Sequence, residues 1–315
     1  MSTLPPAPHV VVYGSINIDL VVRTPRFARA GETLIGSSFS TISGGKGVNQ
    51  AVACARLGAN VRMVGRVGQD PFGDTLLEGL RAQGVNVEAV VRMPGSSGLA
   101  VIEVEDLGEN HIVVIPGANA AVGAEDLERL EAALEEAALL LQLEVPLSSV
   151  LQAARRAHGG AAMLDPAPAQ HLPPELYALC HLITPNASEA ASLVGFALES
   201  ETDVFKAGRE LLSKGVREVL IKRGALGVTW MNAAGTRTLP ALKVQAVDTV
   251  AAGDAFNGGL AAALAQGLPL EQALVWGSAA GALSVTKLGA QSSLPSRAEV
   301  LELLAMSFQP SAIGN

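Results

Sequence analysis

Aromatic side chains are scarce: two tryptophans, two tyrosines and seven phenylalanines make up 3% of the 315 residues. So few rings leave little material for an aromatic platform under a nucleoside base, which disfavours that class of ligand. Cysteine is scarcer still. Cys54 and Cys180 form no close pair, so neither a disulfide framework nor a cysteine zinc site is expected, and Cys54 reads as a small packed hydrophobe. Basic charge is also short, with 22 Lys and Arg against 30 Asp and Glu, a formal charge of −8. The corresponding pI near 5.2 argues against a general nucleic-acid binder, although a local basic patch survives such an average. The apolar runs are short or broken by glycine and charge, so no membrane span is expected. The first residues, MSTLPPAPHVVVYGS, lack a basic segment followed by a long apolar one; no export signal and a cytoplasmic location are the expectation. Asn186-Ala187-Ser188 matches a glycosylation sequon and is read as chance.

What is present is apolar and small. The chain is 49% hydrophobic with 33 glycines, and its mean hydropathy is +0.34. That is enough to bury a substantial core, as one large domain or two smaller ones. The periodicity alternates between strand and helix, with no internal repeat and no linker.

The segment from Val247 to Leu264, VDTVAAGDAFNGGLAAAL, passes through a turn at Ala251-Ala252-Gly253 into a helix of small residues. First-turn N–H groups of a helix have no intrahelical partner and attract anions, and small side chains leave them uncovered. Asp254 falls beside them. A carboxylate next to an uncovered anion site suits phosphoryl transfer to an alcohol; a plain helix cap fits the local sequence equally well.

Other polar residues sit where ligands gather in open α/β sheets, beyond the carboxyl ends of strands. Val10–Tyr13 reads as a buried strand that Gly14–Asp19 carry to its end. Asn17 and Asp19, two apart, share a face if extended and suit polyol hydroxyls, or simply cap a turn. Gly44-Gly45-Lys46-Gly47-Val48-Asn49-Gln50 precedes a helical run. It is not a Walker A loop, because Gly47 replaces the hydroxyl residue after the lysine and the upstream glycine is missing. The glycines allow close backbone approach, and Asn49 offers an amide. Gly65, Gly68 and Gly73 lack the spacing of a dinucleotide fingerprint, which weakens any reading as a dehydrogenase.

Two alternating stretches, LAVIEVE and NHIVVIP, flank Asp106-Leu107-Gly108-Glu109 as a hairpin. With 20–43 they suggest a small sheet apart from the α/β body, with one face in need of cover. His111 on that hairpin reads as structural or exposed. The α/β rhythm resumes with an acidic helix over 124–138, a strand ending near Glu144, a helix over 147–158 and a strand over 161–165. Asn186 and Glu189 fit a helix cap better than a metal or phosphate site on spacing alone. Lys222 ends a strand before a loop containing Gly224 and Gly227, a weak signal for nucleotide phosphates.

Taken together, GSINID (14–19), GGKGVNQA (44–51), GENHIVVIPGANA (108–120), TPNASEA (184–190), DTVAAGDAFNGGL (248–260) and KLGAQSSLP (287–295) are specific. Over 9–308 the chain resembles the ribokinase-like carbohydrate kinase family. The first two motifs and Glu144 narrow the resemblance toward members acting on ribose. It implies an α/β fold, a three-layer α/β/α domain with a small β-sheet lid, usually shared across a homodimer. The main body is expected over 9–19, 44–91 and 116–308, and the lid over 20–43 and 92–115.

The resemblance also implies roles. Asp254 matches the base that activates the sugar's primary hydroxyl, and Ala251, Ala252 and Gly253 the backbone anion hole. Asn17, Asp19, Gly45, Lys46, Asn49 and Glu144 match the sugar-binding set. Asn186, Lys222 and Gly227 fall where the family approaches ATP, and Glu189 completes an Asn-x-x-Glu pattern that influences Mg2+ use. Members acting on ribose commonly have threonine where Lys222 stands, a departure that adds a phosphate contact or alters nucleotide handling. A K+ site is implied at Asp248, with backbone oxygens of Val250, Ser284, Lys287 and Gly289 and a contribution from Ser293. The expected reaction is ATP-dependent phosphorylation of D-ribose at its 5-hydroxyl, with Mg2+ and K+ and without nucleic-acid or membrane partners. The alternatives are a kinase for another furanose, a nucleoside or a keto-sugar acid, or a non-enzymatic sugar sensor.

Overall fold

The computed structural model describes residues 9–131, 134, 137–157 and 162–307. The expected element ends at His158 and Ala161, part of the helix expected over 124–138, and the domain end at Phe308 lie outside the described residues.

The body is built on a nine-stranded sheet. β1 (His9–Tyr13) runs parallel to β4 (Asn60–Gly68) on one side and β8 (Ala138–Leu141) on the other. β5 (Val90–Met93) closes the β4 edge. Beyond β8 the sheet continues through β9 (Ala162–Leu164), β10 (Leu182–Ile183) and β11 (Glu218–Lys222), all parallel. An antiparallel pair, β12 (Val228–Asn232) and β13 (Gly235–Leu239), ends it.

Both faces of this sheet are covered, as parallel sheets require. Alternation along β1 sorts its side chains: Val10 and Val12 enter one core, Val11 and Tyr13 the other. The first core holds α1 (Lys46–Arg56), α2 (Pro71–Ala82), α8 (Ala252–Ala265), α9 (Leu270–Ser284) and α10 (Arg297–Ser307). The second holds α3 (Ala124–Glu131), α4 (Leu147–Arg156), α5 (Pro174–Leu179), α6 (Ala187–Val194) and α7 (Glu201–Ser213). The result is a three-layer α/β/α body. Among the described residues no helix is long and apolar enough to cross a membrane.

A separate four-stranded sheet has the order β3-β2-β6-β7, made by β2 (Asn17–Thr24), β3 (Ser38–Gly44), β6 (Gly98–Glu105) and β7 (Asn110–Ile115). Its membership differs from the sequence expectation at three places, one of them Gly44, expected to open the body and found to end β3. Asn17 and Asp19 do not extend the first strand; β1 stops at Tyr13 and they open β2 of the small sheet. The chain leaves the body at Gly14, where a Cβ would collide with the Gln142 side chain, and Gly47 packs on the Ser15 backbone. Arg92 and Met93, expected in the lid, lie on β5 in the main sheet.

Candidate active site

One end of the site is assembled where the small sheet meets the body. Asn17 and Asp19 alternate along β2 and so point to one side. Asn17 is buried, and its Oδ1 accepts a hydrogen bond from Asn119 Nδ2 at 2.6 Å. Asn119 is held in turn by its own Oδ1, which accepts from Ile16 N at 2.9 Å. That arrangement leaves the Asn17 amide nitrogen to donate to a ligand. Gly44 lies against Asp19, where any Cβ would collide with the carboxylate. Gly45, at φ 90°, starts α1 and turns the Lys46 N–H onto Glu144 Oε2 at 2.9 Å. The same oxygen accepts from Ser15 Oγ at 2.5 Å. Burial and the neighbouring Glu144 carboxylate raise the Asp19 pKa to about 6.

Asp254 occupies the first turn of α8 and is 4% exposed. Asn49 Nδ2 donates to its Oδ2 at 3.0 Å, and Gln50 Nε2 to its Oδ1 at 3.1 Å. Burial pushes its pKa upward; the Lys46 ammonium opposes this, Asp165 adds to it, and the two amides pull it down. The helix begins at Ala251, which adopts the left-handed conformation at φ 59° and gives no side-chain cap. Ala252 N makes a long 3.3 Å bond to Thr249 O, and no side chain caps the helix start with a hydrogen bond. The helix start therefore offers N–H groups beside a buried carboxylate.

A cleft of about 770 Å3 runs from Asp254 toward the antiparallel edge of the main sheet. Asn186, Glu189, Lys222 and Gly227 all line it, together with Lys46 and Ala251–Gly253. Asn186 and Glu189 form a capping box on α6: Asn186 Oδ1 accepts from Glu189 N at 2.8 Å, and Glu189 Oε2 accepts from Asn186 N at 2.7 Å. The cap and the cleft position thus coexist. Gly227, at φ 85°, has no room for a Cβ because the Leu239 carbonyl lies against it. Beyond it Leu242, Val244 and Val285 make part of the wall aliphatic. Burial works against the charge on Lys46, but Asp254, Asp165, Glu144 and Glu189 outweigh it and raise its pKa.

A buried carboxylate beside a helix start, at the head of a cleft with aliphatic walls, has the parts that phosphoryl transfer to an alcohol requires, and comparison with known proteins narrows the class. Residues 7–297 match the pfkB family of carbohydrate kinases. The chain belongs to that family. A ribokinase of Haemophilus influenzae is 42% identical over 299 residues, spanning 94% of this chain and 98% of its own. A deoxyribokinase of Salmonella typhimurium is 37% identical over 303 residues, spanning 95% and 99%. The structure of an Arabidopsis thaliana ribokinase complexed with ribose and ATP superposes with a TM-score of 0.88 at 32% identity, covering 95% and 99%.

In this pfkB-family chain Asp248 ties down the loop ahead of α8. Its Oδ1 accepts from Val250 N at 3.0 Å and its Oδ2 from Gly289 N at 2.8 Å, joining two loops. Ser284 and Ser293 are buried, with hydroxyls donating to Gly281 O and Ala290 O. Lys287 turns its side chain outward to Glu299 at 2.6 Å. The Asp248 carboxylate, where the two loops meet, is the kind of oxygen donor that a hard cation takes. No cluster of three or more His, Cys, Asp or Glu that could hold a metal occurs among the described residues.

Sequence reasoning missed four residues. Ser15 and Asn119 position Glu144 and Asn17. Gln50, fully buried, lay within the quoted GGKGVNQA motif but carried no assigned role. Asp165 ends a strand just before a proline, the same signal that singled out Glu144. Its Oδ1 pairs with Lys222 Nζ at 3.0 Å, and its Oδ2 accepts from Gln50 Nε2 at 3.0 Å.

Proposed function

We infer that this pfkB-family chain is a ribokinase: it transfers the γ-phosphoryl group of ATP to the 5-hydroxyl of D-ribose, giving D-ribose 5-phosphate and ADP. The observation that carries the reading is Asp254, buried in the first turn of α8 and shared by the sugar residues and the cleft. The similarity to ribokinases over nearly the whole chain supports it.

In this reading Asn17, Asp19, Gly45, Asn49 and Glu144 hold the ribose hydroxyls, with Lys46 on the wall between sugar and phosphates. Asp254 takes the proton of the attacking hydroxyl as the new P–O bond forms and the bond to the ADP oxygen breaks. Its pKa need not match that of an alcohol, because the proton leaves late, once the attacking oxygen has become acidic. The N–H groups at 251–253 offset charge on the transferring oxygens without reorganising during the reaction. Asn186, Lys222 and Gly227 line the nucleotide side. Mg2+ travels with the nucleotide, with Glu189 acting on it indirectly, and supplies charge neutralisation at the phosphates. K+ would be held by Asp248, the carbonyls of Val250, Ser284, Lys287 and Gly289, and Ser293, and would stiffen the loop that presents the helix start. We further take the lid as the contact surface of a homodimer.

The competing substrates fare worse. A keto-sugar acid needs a cation facing the sugar, and Lys46 lies in the field of Asp254, Asp165, Glu144 and Glu189. The 2-deoxy sugar is the closest rival, since the Salmonella typhimurium relative is a deoxyribokinase. The deciding experiment supplies ATP, Mg2+ and K+ with D-ribose, 2-deoxy-D-ribose, adenosine and a keto-sugar acid, and follows ADP release and the phosphorylated product by NMR. D-Ribose 5-phosphate is expected as the preferred product. Greater kcat/KM for any other member of the panel refutes the substrate, and ribose binding without turnover refutes the enzyme.

A further inference from the structure

Behind the site runs a buried chain of polar contacts that links its two ends. Lys222 and Asp165 side chains are 13% and 3% exposed and pair at 3.0 Å. Gln50 Nε2 donates to both Asp165 Oδ2, at 3.0 Å, and Asp254 Oδ1, at 3.1 Å. Gln142 Nε2 donates to Gln50 Oε1 at 2.7 Å, which fixes the Gln50 amide so that its nitrogen faces the two carboxylates. The ends of β9 and β11 and the starts of α1 and α8 are thereby joined. Lys222 Nζ also stands at the anion-hole entrance: it would lie 3.3 Å from a Cβ placed on Gly253.

The charges lining the cleft are balanced, with Lys46, Lys222 and Lys243 against Asp165, Glu189 and Asp254. That balance matters where a polyanion must enter. Asp165 is almost fully buried and lies within reach of the phosphate path, so its charge is tolerable only while paired.

We propose that Asp165 and Lys222 form one charge-paired positioning unit, in which Lys222 keeps Asp165 compensated beside the incoming phosphates and Asp165, through Gln50, holds Asp254 in place. The proposal rests on the reading of this cleft as the ATP site. It makes a specific demand on paired variants. Lys222→Met leaves the Asp165 carboxylate alone, repelling phosphate and free to turn from Gln50. Asp165→Asn keeps an acceptor for Gln50 and strands no carboxylate. The double variant carries neither charge.

The test measures steady-state kinetics for ATP and ribose in the wild type, both single variants and the double variant, with folding checked by circular dichroism and thermal unfolding. Lys222→Met is expected to lower kcat/KM for ATP by at least ~100-fold, with ribose KM within ~3-fold of wild type. Asp165→Asn is expected to cost less than ~10-fold, and the double variant to regain at least ~10-fold over Lys222→Met. A double variant no better than Lys222→Met overturns the proposal. If Lys222→Met does not fold, the step from Asp165→Asn to the double variant decides: a loss under ~10-fold is expected, and a loss near ~100-fold overturns the pairing. A wild type inactive on ribose with ATP sinks the functional reading instead, so the two failures are distinguishable.

Discussion

Asp254 has both carboxylate oxygens occupied by amide donors from α1, which fixes its direction before substrate arrives. Asparagine in its place keeps the size and loses the proton acceptor. Asp254→Asn is therefore expected to lower kcat by at least ~100-fold while ribose KM changes little, measured by coupled ADP release. Near-normal turnover in that variant removes Asp254 from the role of base. Asp19 offers a pH test at the opposite end of the pocket. With its pKa raised to about 6, it is ionised above that pH and protonated below it. Ribose hydroxyls are best held by the ionised acceptor, so ribose KM should rise as pH falls through 6. Asp19→Asn should give a weaker but pH-flat KM across that range; a wild-type KM flat from pH 7 to pH 5 counts against the assignment. At this scale the assigned residues were legible because each stands at a strand end or helix start. Asp165 carries the same strand-end signal, but its importance and that of Gln50 lie in contacts 115 and 204 residues apart in sequence, which no local pattern shows.

In the proposed mechanism the element that presents the phosphate donors is the start of α8, and its geometry has a cost. Ala251 sits in the left-handed region, which disfavours a residue with a Cβ by roughly 1–2 kcal/mol. Packing behind it holds the helix in place: a Cβ on Gly258 would collide with Ala53 of α1, and one on Gly259 would lie 2.9 Å from Ala280 of α9. In front, Asp248 ties the loop to Gly289. If K+ completes this support, exchanging it for Li+ should lower wild-type kcat severalfold, with recovery on returning K+. Asp248→Asn should be slower and insensitive to the exchange; a wild-type rate unchanged between the two salts rules out the site. Glycines 258 and 259 were visible in the sequence as small residues, but which helices they admitted was not.

At the scale of the whole molecule, the small sheet has two faces and one body to cover them. Asn17, Asp19 and their register partners Gly98 and Ala100 share the face over the sugar pocket. The alternate row, Leu20, Val101 and Val113, faces away, and Val113 is 61% exposed. Phe39 lies level with Val22 on the same outer side and is 62% exposed. Rows of this kind are covered by a partner in stable assemblies. Light scattering should give twice the 32.2 kDa chain mass for the wild type and a single chain mass for Val113→Asp. A wild type that remains a single chain at micromolar concentration refutes the lid as a dimer surface.

The sequence by itself determined the alternation of strand and helix, the motif at 248–260 and the polar residues at strand ends, because these follow from periodicity and turn chemistry within a few neighbours. Even the extended Asn17–Asp19 stretch and the Asn186 cap were readable on those terms. Tertiary structure alone decided which sheet Asn17 and Asp19 belong to, since Gly14 and Gly47 allow the chain to leave the body a few residues earlier than the sequence suggests. It also decided that Lys222 faces a carboxylate. Parallel strands bring residues 57 positions apart to one edge of the sheet, and only that crossing puts Asp165 beside Lys222. The partner of a buried charge is set by strand order, which local sequence does not encode.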